Sequence, residues 1–384
     1  MKTVYMDNNA TTRTADEVMA AMDRVADVFG NASSMHALGR DAARLLAQAR
    51  HECAVLIGAD DDEIIFTSGG TESDNTVFSI AREMIDEGSQ RTRIVTSMIE
   101  HPAIIETCKY LAKRGYQVDF TPVDHFGKVD MEQLDALIAD DVLLVSIMTG
   151  NNETGTIQDI KAMATLARQR GALFHTDAVQ AIGKMPVDAH GWGVDYLSLS
   201  GHKFYGPKGV GALYVRRGAP FEAFVKGGHQ EEGRRAGTYN TQAIVGLGEA
   251  ARMAATSIHE EHDRLWAMRE RLKNGIMATI DHVTINGHPS DCLPGTLNVS
   301  FASAEGESIL LMLDLNGIAV STGSACATGS LEPSYVLLAC GLDVELAHGS
   351  IRFSLGRYNS DADIDYVLEK LPPIIKRLRE ISTR

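Results

Sequence analysis

Residues 93–123 read "RIVTSMIEHPAIIETCKYLAKRGYQVDFTPV", and their pattern decides the fold. "RIVTSMI" (93–99) is a short apolar, β-branched run, the composition of a buried strand. "HPAIIETCKYLAKRG" (101–115) carries Pro102 in a favourable first-turn position and a glycine at its end, the start and stop signals of a helix. "QVDFTPV" (117–123) returns to strand composition. Strand, helix and strand in succession imply a parallel pairing.

The alternation continues outward. "IIFTSGG" (64–70) reads as a strand ending in a glycine turn. "VLLVSIM" (142–148), "ALFHTDA" (172–178), "YLSLSG" (196–201) and "GALYVRR" (211–217) read as strands, with helical pattern between several of them, as at 160–170. A mostly parallel central sheet with helices on both faces is expected, an α/β architecture. Ligands of such sheets bind beyond the carboxyl ends of the strands. From 241 to 279 the pattern is long, charged and helical. After the loop "NGHPSDCLPG" (286–295), "TLNVSF" (296–301) and "IRFSLG" (351–356) read as strands, and "ESILLMLDLNG" (307–317) and 361–379 as helices. The expectation is one large α/β domain and a smaller α+β domain joined by the long helix.

Composition narrows the function. The chain has 384 residues, 44% hydrophobic and 23% charged, with a formal charge of −15. That acidity argues against nucleic acid or an anionic membrane as a direct partner. Five cysteines with no C-x-x-C pair suggest a reducing compartment and neither a disulfide framework nor a zinc ribbon. "MKTVYMDNNATT" lacks a signal-peptide pattern, and the apolar runs fall short of the roughly 18 residues that span a bilayer. A cytoplasmic protein is expected. No metal site is expected either: "HEEH" (259–262) reads as a solvated helix face.

The strand ends carry unusual polar groups. "HTDAVQ" supplies Asp177 and Gln180, and "SLSGHKFYGPKG" supplies Ser200, His202 and Lys203. A lysine after a buried strand is costly unless it is paired, functional or able to snorkel to solvent. A lysine at one strand end and a carboxylate at another suit pyridoxal phosphate, the amine for the aldehyde and the carboxylate for the pyridine nitrogen. "SGGTES" (68–73) ends a strand and opens a helix, so its glycines and free N–H groups suit a phosphate. Taken alone, Asp177 could be an N-cap, His101 a capping or core histidine and Asn152 a turn residue.

At this point the sequence resembles the cysteine desulfurases, pyridoxal-phosphate enzymes of the class V aminotransferase group, and most closely their nitrogen-fixation and iron–sulfur-assembly branch. The resemblance runs through ten ordered blocks: "YMDNNATT", "FGNASSMHALGR", "TSGGTESDN", "EHPA", "NNETGT", "HTDAVQAIGK", "SLSGHKFYGPKGVG", "GGHQEEGRRAGTYN", "STGSACATGSLEPS" and "HGSIRFSLGRYN". It departs at Tyr239, where this branch often has glutamate, and at Ala327, where serine or threonine is common.

The resemblance implies the type I, aspartate-aminotransferase-like fold of pyridoxal-phosphate transferases. The expected division is 16–255 for the large cofactor-binding domain, with 1–15 and 256–384 forming a small α+β domain that carries the cysteine loop. It implies Lys203 as the residue holding the coenzyme, Asp177 against its pyridine nitrogen, Gln180 near its ring oxygen and His101 stacked on the ring. Asn152 falls at the ring and substrate side, and Arg352 on the substrate carboxylate, with Asn31 in the substrate-side segment. Phosphate contacts fall on Gly70, Thr71, Ser200 and His202. Thr238 is implied to reach the phosphate of the other subunit, hence a homodimer.

The resemblance also gives Cys326 a purpose. Within "STGSACATGS" (321–330) nothing has the bulk to bury it, and a glycine- and serine-rich stretch suits a thiol that must act in two places. The implied reaction removes sulfur from L-cysteine, giving L-alanine and a persulfide on Cys326. The sulfur then passes to an iron–sulfur scaffold or other acceptor protein. Lys203 and His101 are the implied proton-handling groups. A selenocysteine lyase would share the lysine and aspartate logic, and a non-catalytic sulfur-assembly partner would share the fold. The intact set Lys203, Asp177, His101, Arg352 and Cys326 argues against the latter.

Overall fold

The structure is a computed structural model that describes residues 2–322 and 332–382. Its centre is a seven-stranded sheet in the order Ile64–Thr67, Gly211–Val215, Tyr196–Ser200, Leu173–Asp177, Val142–Ser146, Arg93–Ser97, Gln117–Thr121. Gly211–Val215 runs antiparallel to both of its neighbours, and all other pairings are parallel. The mostly parallel α/β sheet expected from the alternation is therefore present.

Side-chain alternation explains why both faces must be covered. Leu197, Leu199, Ala212 and Tyr214 enter one core with Phe66 and Phe174. Tyr196, Leu213 and Val215 enter the opposite core with Ile65 and Phe78. Each such side chain, fully buried, contributes about 1.5–3 kcal/mol.

A second core gathers Val4 and Met6 from the amino terminus with Leu272, Leu297, Phe353 and Ile364. Its sheet is antiparallel, in the order Ser350–Ser354, Thr296–Phe301, Val283–Asn286. A parallel pair, Val4–Tyr5 with Ile318–Ala319, lies beside it. The 39-residue helix Thr241–Thr279 joins the cores. It extends about 58 Å. Ile244, Leu247 and Ala251 sit in the first core, and Leu265, Leu272 and Ile276 in the second. Gly248 lets this helix approach Ala37–Ile57, since a Cβ there would lie 2.5 Å from the Ala49 Cα.

The helix after Arg93–Ser97 starts as its sequence dictates. Pro102 occupies the first turn, and His101 is the N-cap, its Nδ1 accepting from the Ala103 N–H at 3.1 Å. Capping fixes the His101 ring at the carboxyl edge of the sheet. Among the described residues no helix is long and apolar enough to cross a membrane.

Candidate active site

The carboxyl ends of the parallel strands converge. Thr67 leads to Gly69 and Gly70, Ser97 to His101, Ser146 to Asn152, Asp177 to Gln180, and Ser200 to His202 and Lys203. Lys203 Nζ donates to the carbonyl oxygens of Asn9 at 2.6 Å and Ala10 at 2.9 Å. The Asn9 carbonyl also accepts from Gln180 Nε2 at 2.9 Å.

Behind this pair lies Lys184, which the sequence reading did not single out. Its Nζ donates to Asn9 Oδ1 at 2.8 Å and to Gln180 Oε1 at 2.7 Å. Burial, with the nearby charges of Lys203 and Arg352, holds this amine well below the usual lysine range. Asn9 is thus the hub of the two lysines and Gln180, although it sits near the amino terminus.

Asp177, 4% exposed, accepts from the Val179 N–H at 2.9 Å. Burial raises its carboxyl, while the charges of His101 and Lys203 and that N–H pull it down. Burial lowers His101; Asp177 opposes this and Lys203 reinforces it. These three groups feel one another at a single place. Two further acids surround them. Asp74 is held well above the usual carboxylate range, first by burial and then by Asp177. Glu100 is pushed up to about 8, chiefly by burial. Burial thus favours the protonated form of both, while His101 and Lys203 act on Asp177 in the opposite sense, towards its charged form. His175 bonds Ser146 Oγ through Nδ1 at 2.8 Å and Ser198 Oγ through Nε2 at 3.0 Å, and burial holds it down at about 3.

Beside Lys203 an open cavity of about 360 Å³ is lined by Ser68, Gly69, Gly70, Thr71, Ser200 and His202, among others. It lies at the start of the helix Gly70–Asp86, whose N-cap Gly69 has φ 151° and no side-chain cap. Only glycine adopts that backbone readily, and a Cβ there would lie 3.5 Å from Ser200 Oγ. Burial and three neighbouring lysines hold His202 down at about 4, and its Nδ1 meets Thr11 Oγ1 at 3.1 Å.

Arg352 comes from the second sheet and is 4% exposed. Nη1 donates to the Asn152 carbonyl at 3.0 Å and Nη2 to Asp7 Oδ1 at 2.8 Å, while the buried Nε has no hydrogen-bond partner among the described residues. Its backbone exchanges two hydrogen bonds with Ser321. Next to Asn152, the buried Glu153 accepts from Ser334 Oγ and is pushed up to about 7, chiefly by burial.

Two expected site residues stand apart. Asn31 is exposed and its Oδ1 closes a local turn with the Ser33 N–H at 2.9 Å. Thr238 is exposed, at an adjoining depression that shares Ser68 and Gly209 with the cavity beside Lys203 and adds Arg235. Cys326 lies outside the described residues. The four described cysteines are unpaired. Burial pushes Cys53 and Cys340 up to about 12 and raises Cys108 and Cys292 as well. None of these four is an activated thiol. In the 259–262 run, His262 stacks flat on Trp266 at 6.3 Å and pairs with Asp263.

The chain matches the family Aminotransferase class-V over residues 4–367. It is 48% identical over 384 residues to the cysteine desulfurase NifS of Azotobacter vinelandii, covering all of this chain and 95% of that one. It is 48% identical to the cysteine desulfurase IscS of Methanosarcina thermophila, covering 99% and 94%. This chain belongs to the cysteine desulfurase family. Among solved structures, a NifS-like protein superimposes with a TM-score of 0.90 at 38% identity, covering both chains completely. DndA from Streptomyces lividans gives 0.78 at 36% identity, covering 93% of this chain and 99% of that one.

Cysteine desulfurases depend on pyridoxal phosphate, and the residues here fit that coenzyme. The glycine cradle at a helix N-terminus matches a phosphate. The Lys203 amine lies close enough to the buried Asp177 carboxylate for its charge to favour the ionised form, and an amine with a carboxylate is the pair that the aldehyde and the pyridine nitrogen require. The residues missed in the sequence, Asp7, Asn9 and Lys184, support those groups. The signal that could have exposed Asp7 and Asn9 is the polar run "DNNATT" directly after the strand-like "TVYM".

Proposed function

We propose that this chain catalyses removal of sulfur from L-cysteine, with Cys326 as the acceptor thiol that carries the persulfide. The observation that carries the reading is the meeting of Lys203, Asp177 and His101 beside a glycine-built phosphate cradle, with Arg352 across the space. When bound, pyridoxal phosphate supplies an aldehyde for the amino group and a ring that accepts the electrons freed at the α-carbon.

The chain's own residues do the rest. Lys203 would hold the coenzyme, and its amine would be placed to move the α-proton of the substrate. Asp177 keeps the pyridine nitrogen protonated. His101, whose ring burial disposes towards the neutral form, would cover the coenzyme ring and could accept a proton. Gln180 and Asn152 flank the ring, while Gly70, Thr71, Ser200 and His202 take the phosphate. Arg352 orients the substrate carboxylate by charge-assisted hydrogen bonds. The Cys326 thiolate attacks the substrate sulfur; the carbon–sulfur bond breaks, a sulfur–sulfur bond forms, and alanine leaves.

Chain connectivity supports that assignment. Ser321, paired with Arg352, precedes Cys326 by five residues, which span at most about 18 Å. Ser334, on Glu153, follows it. The large domain is taken as 16–255 and the small one as 1–15 with 256–384, because Val4 and Met6 pack with Leu272, Leu297 and Phe353, and the long helix passes from the first core to the second between Ala254 and Leu265.

The working form is a homodimer in the cytoplasm, with Thr238 reaching the phosphate bound by the second copy. Phe29 and Met35, 82% and 91% exposed, are apolar surface suited to such a contact. The sulfur passes to an iron–sulfur scaffold or comparable acceptor, without direct contact with nucleic acid or membrane. The test is to incubate the coenzyme-loaded protein with L-cysteine, measure alanine, and locate the persulfide by mass spectrometry. Alanine with added sulfur on Cys326 is expected. Keto-acid formation without alanine, or selenocysteine as the only substrate turned over, refutes the reading.

A further inference from the structure

The segment 227–240 contains two successive non-glycine residues in the left-handed region, Glu231 (φ 49°, ψ 37°) and Glu232 (φ 58°, ψ 31°). Such backbone is costly for a residue with a Cβ, and it persists only where surrounding contacts over-determine it. Here they do. The Glu231 carboxylate is buried and meets Arg50 at both oxygens, Nη2 to Oε1 at 2.7 Å and Nη1 to Oε2 at 2.8 Å. The Phe66 N–H adds a third bond to Oε2 at 3.1 Å. The Glu231 N–H donates to the hydroxyl of Tyr239 at 2.7 Å, across eight residues.

Thr238 sits between the ends of this arrangement. Before it, the Gly237 N–H donates to Gln230 Oε1 at 3.1 Å. After it, Tyr239 reaches Glu231 and Asn240 caps the long helix. A second link ties the same segment to the phosphate cradle. Arg235 pairs with Glu72 through Nε at 2.8 Å and Nη2 at 3.1 Å, and Glu72 accepts from the Ser68 N–H at 2.9 Å.

We propose that Tyr239 is a positioning residue for coenzyme binding, its hydroxyl completing a strained Arg50–Glu231 latch that presents Thr238 to the phosphate held by the partner subunit. This rests on the reading that Thr238 reaches that phosphate. Tyr239 also stands where the branch that the sequence resembles often has glutamate. Removing the hydroxyl leaves the Glu231 N–H without its acceptor, and the turn loses one of the contacts that hold it in the left-handed region.

The experiment is a double-mutant cycle on the coenzyme-loaded dimer, comparing Thr238→Ala, Tyr239→Phe and the double variant. The readout is the dissociation constant of pyridoxal phosphate from its visible absorbance, with sedimentation to check that the dimer is intact. Thr238→Ala and Tyr239→Phe are each expected to weaken coenzyme retention, by about tenfold for the former and several-fold for the latter. The double variant is expected to lose no more than Thr238→Ala alone. If Thr238→Ala changes nothing, the cross-subunit reading falls and the latch with it. If Thr238→Ala weakens retention but Tyr239→Phe does not, or the two losses multiply, the latch alone is overturned. Should Tyr239→Phe fail to fold, Glu231→Gln takes its place in the same cycle.

Discussion

Arg352 and Asp7 form an ion pair at 2.8 Å across 345 residues of chain, and the same guanidinium holds the Asn152 carbonyl through its other terminal nitrogen. The strand Ser350–Ser354 is thereby locked both to the amino-terminal segment and to the loop after Val142–Ser146. A planar, forked donor suits this, because its terminal nitrogens reach two acceptors in fixed directions, which the flexible, compact ammonium of a lysine does not do.

On the proposed role of the guanidinium in orienting the substrate carboxylate, Arg352→Lys is expected to raise the KM for L-cysteine tenfold or more, with a smaller effect on kcat. Steady-state alanine production over a range of cysteine concentrations measures both. An unchanged KM would remove Arg352 from the substrate site.

Lys203→Ala is expected to abolish the visible absorbance of lysine-held coenzyme while leaving the fold intact. Its amine donates to the backbone carbonyls of Asn9 and Ala10, and Lys184 keeps its own bonds to Asn9 Oδ1 and Gln180 Oε1. Absorbance and near-ultraviolet circular dichroism, before and after adding pyridoxal phosphate, decide the matter. Retention of the wild-type spectrum would mean another group holds the coenzyme.

Most of the sheet was legible because strand signals are local. The runs at 93–99, 142–148 and 196–201 contain the strands Arg93–Ser97, Val142–Ser146 and Tyr196–Ser200, and 296–301 matches outright. The readings overshoot by one or two residues at the carboxyl ends, where the chain leaves the ladder yet stays buried, as Ile99 and Met148 do. The antiparallel direction of Gly211–Val215 was not legible, since its run looks like its parallel neighbours. The two-residue pair Val4–Tyr5 with Ile318–Ala319 is too short for any periodicity. In the candidate site, the placement of Asp177 and Lys203 at strand ends was legible. Asn9 and Lys184 were not, because their importance comes from contacts with each other across 175 positions.

Cys326→Ser is expected to bind L-cysteine normally yet lose at least a hundredfold in alanine formation, with no sulfur adduct on any peptide. A serine hydroxyl cannot take sulfur to give a persulfide. The remaining cysteines offer no substitute, since burial keeps Cys53, Cys108, Cys292 and Cys340 as thiols. Peptide mass spectrometry after one turnover tests this. Sulfur found on Cys340, the half-buried one of the four, would transfer the acceptor role to it.

Glu100→Gln is expected to change how stability depends on pH. Burial raises the Glu100 carboxyl to about 8, from 4.5. The folded state therefore binds a proton that the unfolded state releases between those values. Its contribution is fully present below pH 4.5 and is lost as pH rises through 8. Glutamine imitates the protonated acid, and its carbonyl oxygen can still accept from Ser97 Oγ and the Met148 N–H. The variant should thus match the wild type near pH 5 and exceed it near pH 8.5, by up to a few kcal/mol on the order-of-magnitude conversion of a pKa shift to free energy. Urea unfolding at pH 5, 7 and 8.5 gives the comparison. A difference that stays constant across that range would show that Glu100 is ionised in the folded protein, and the buried Glu100 would then carry a charge beside Asp177.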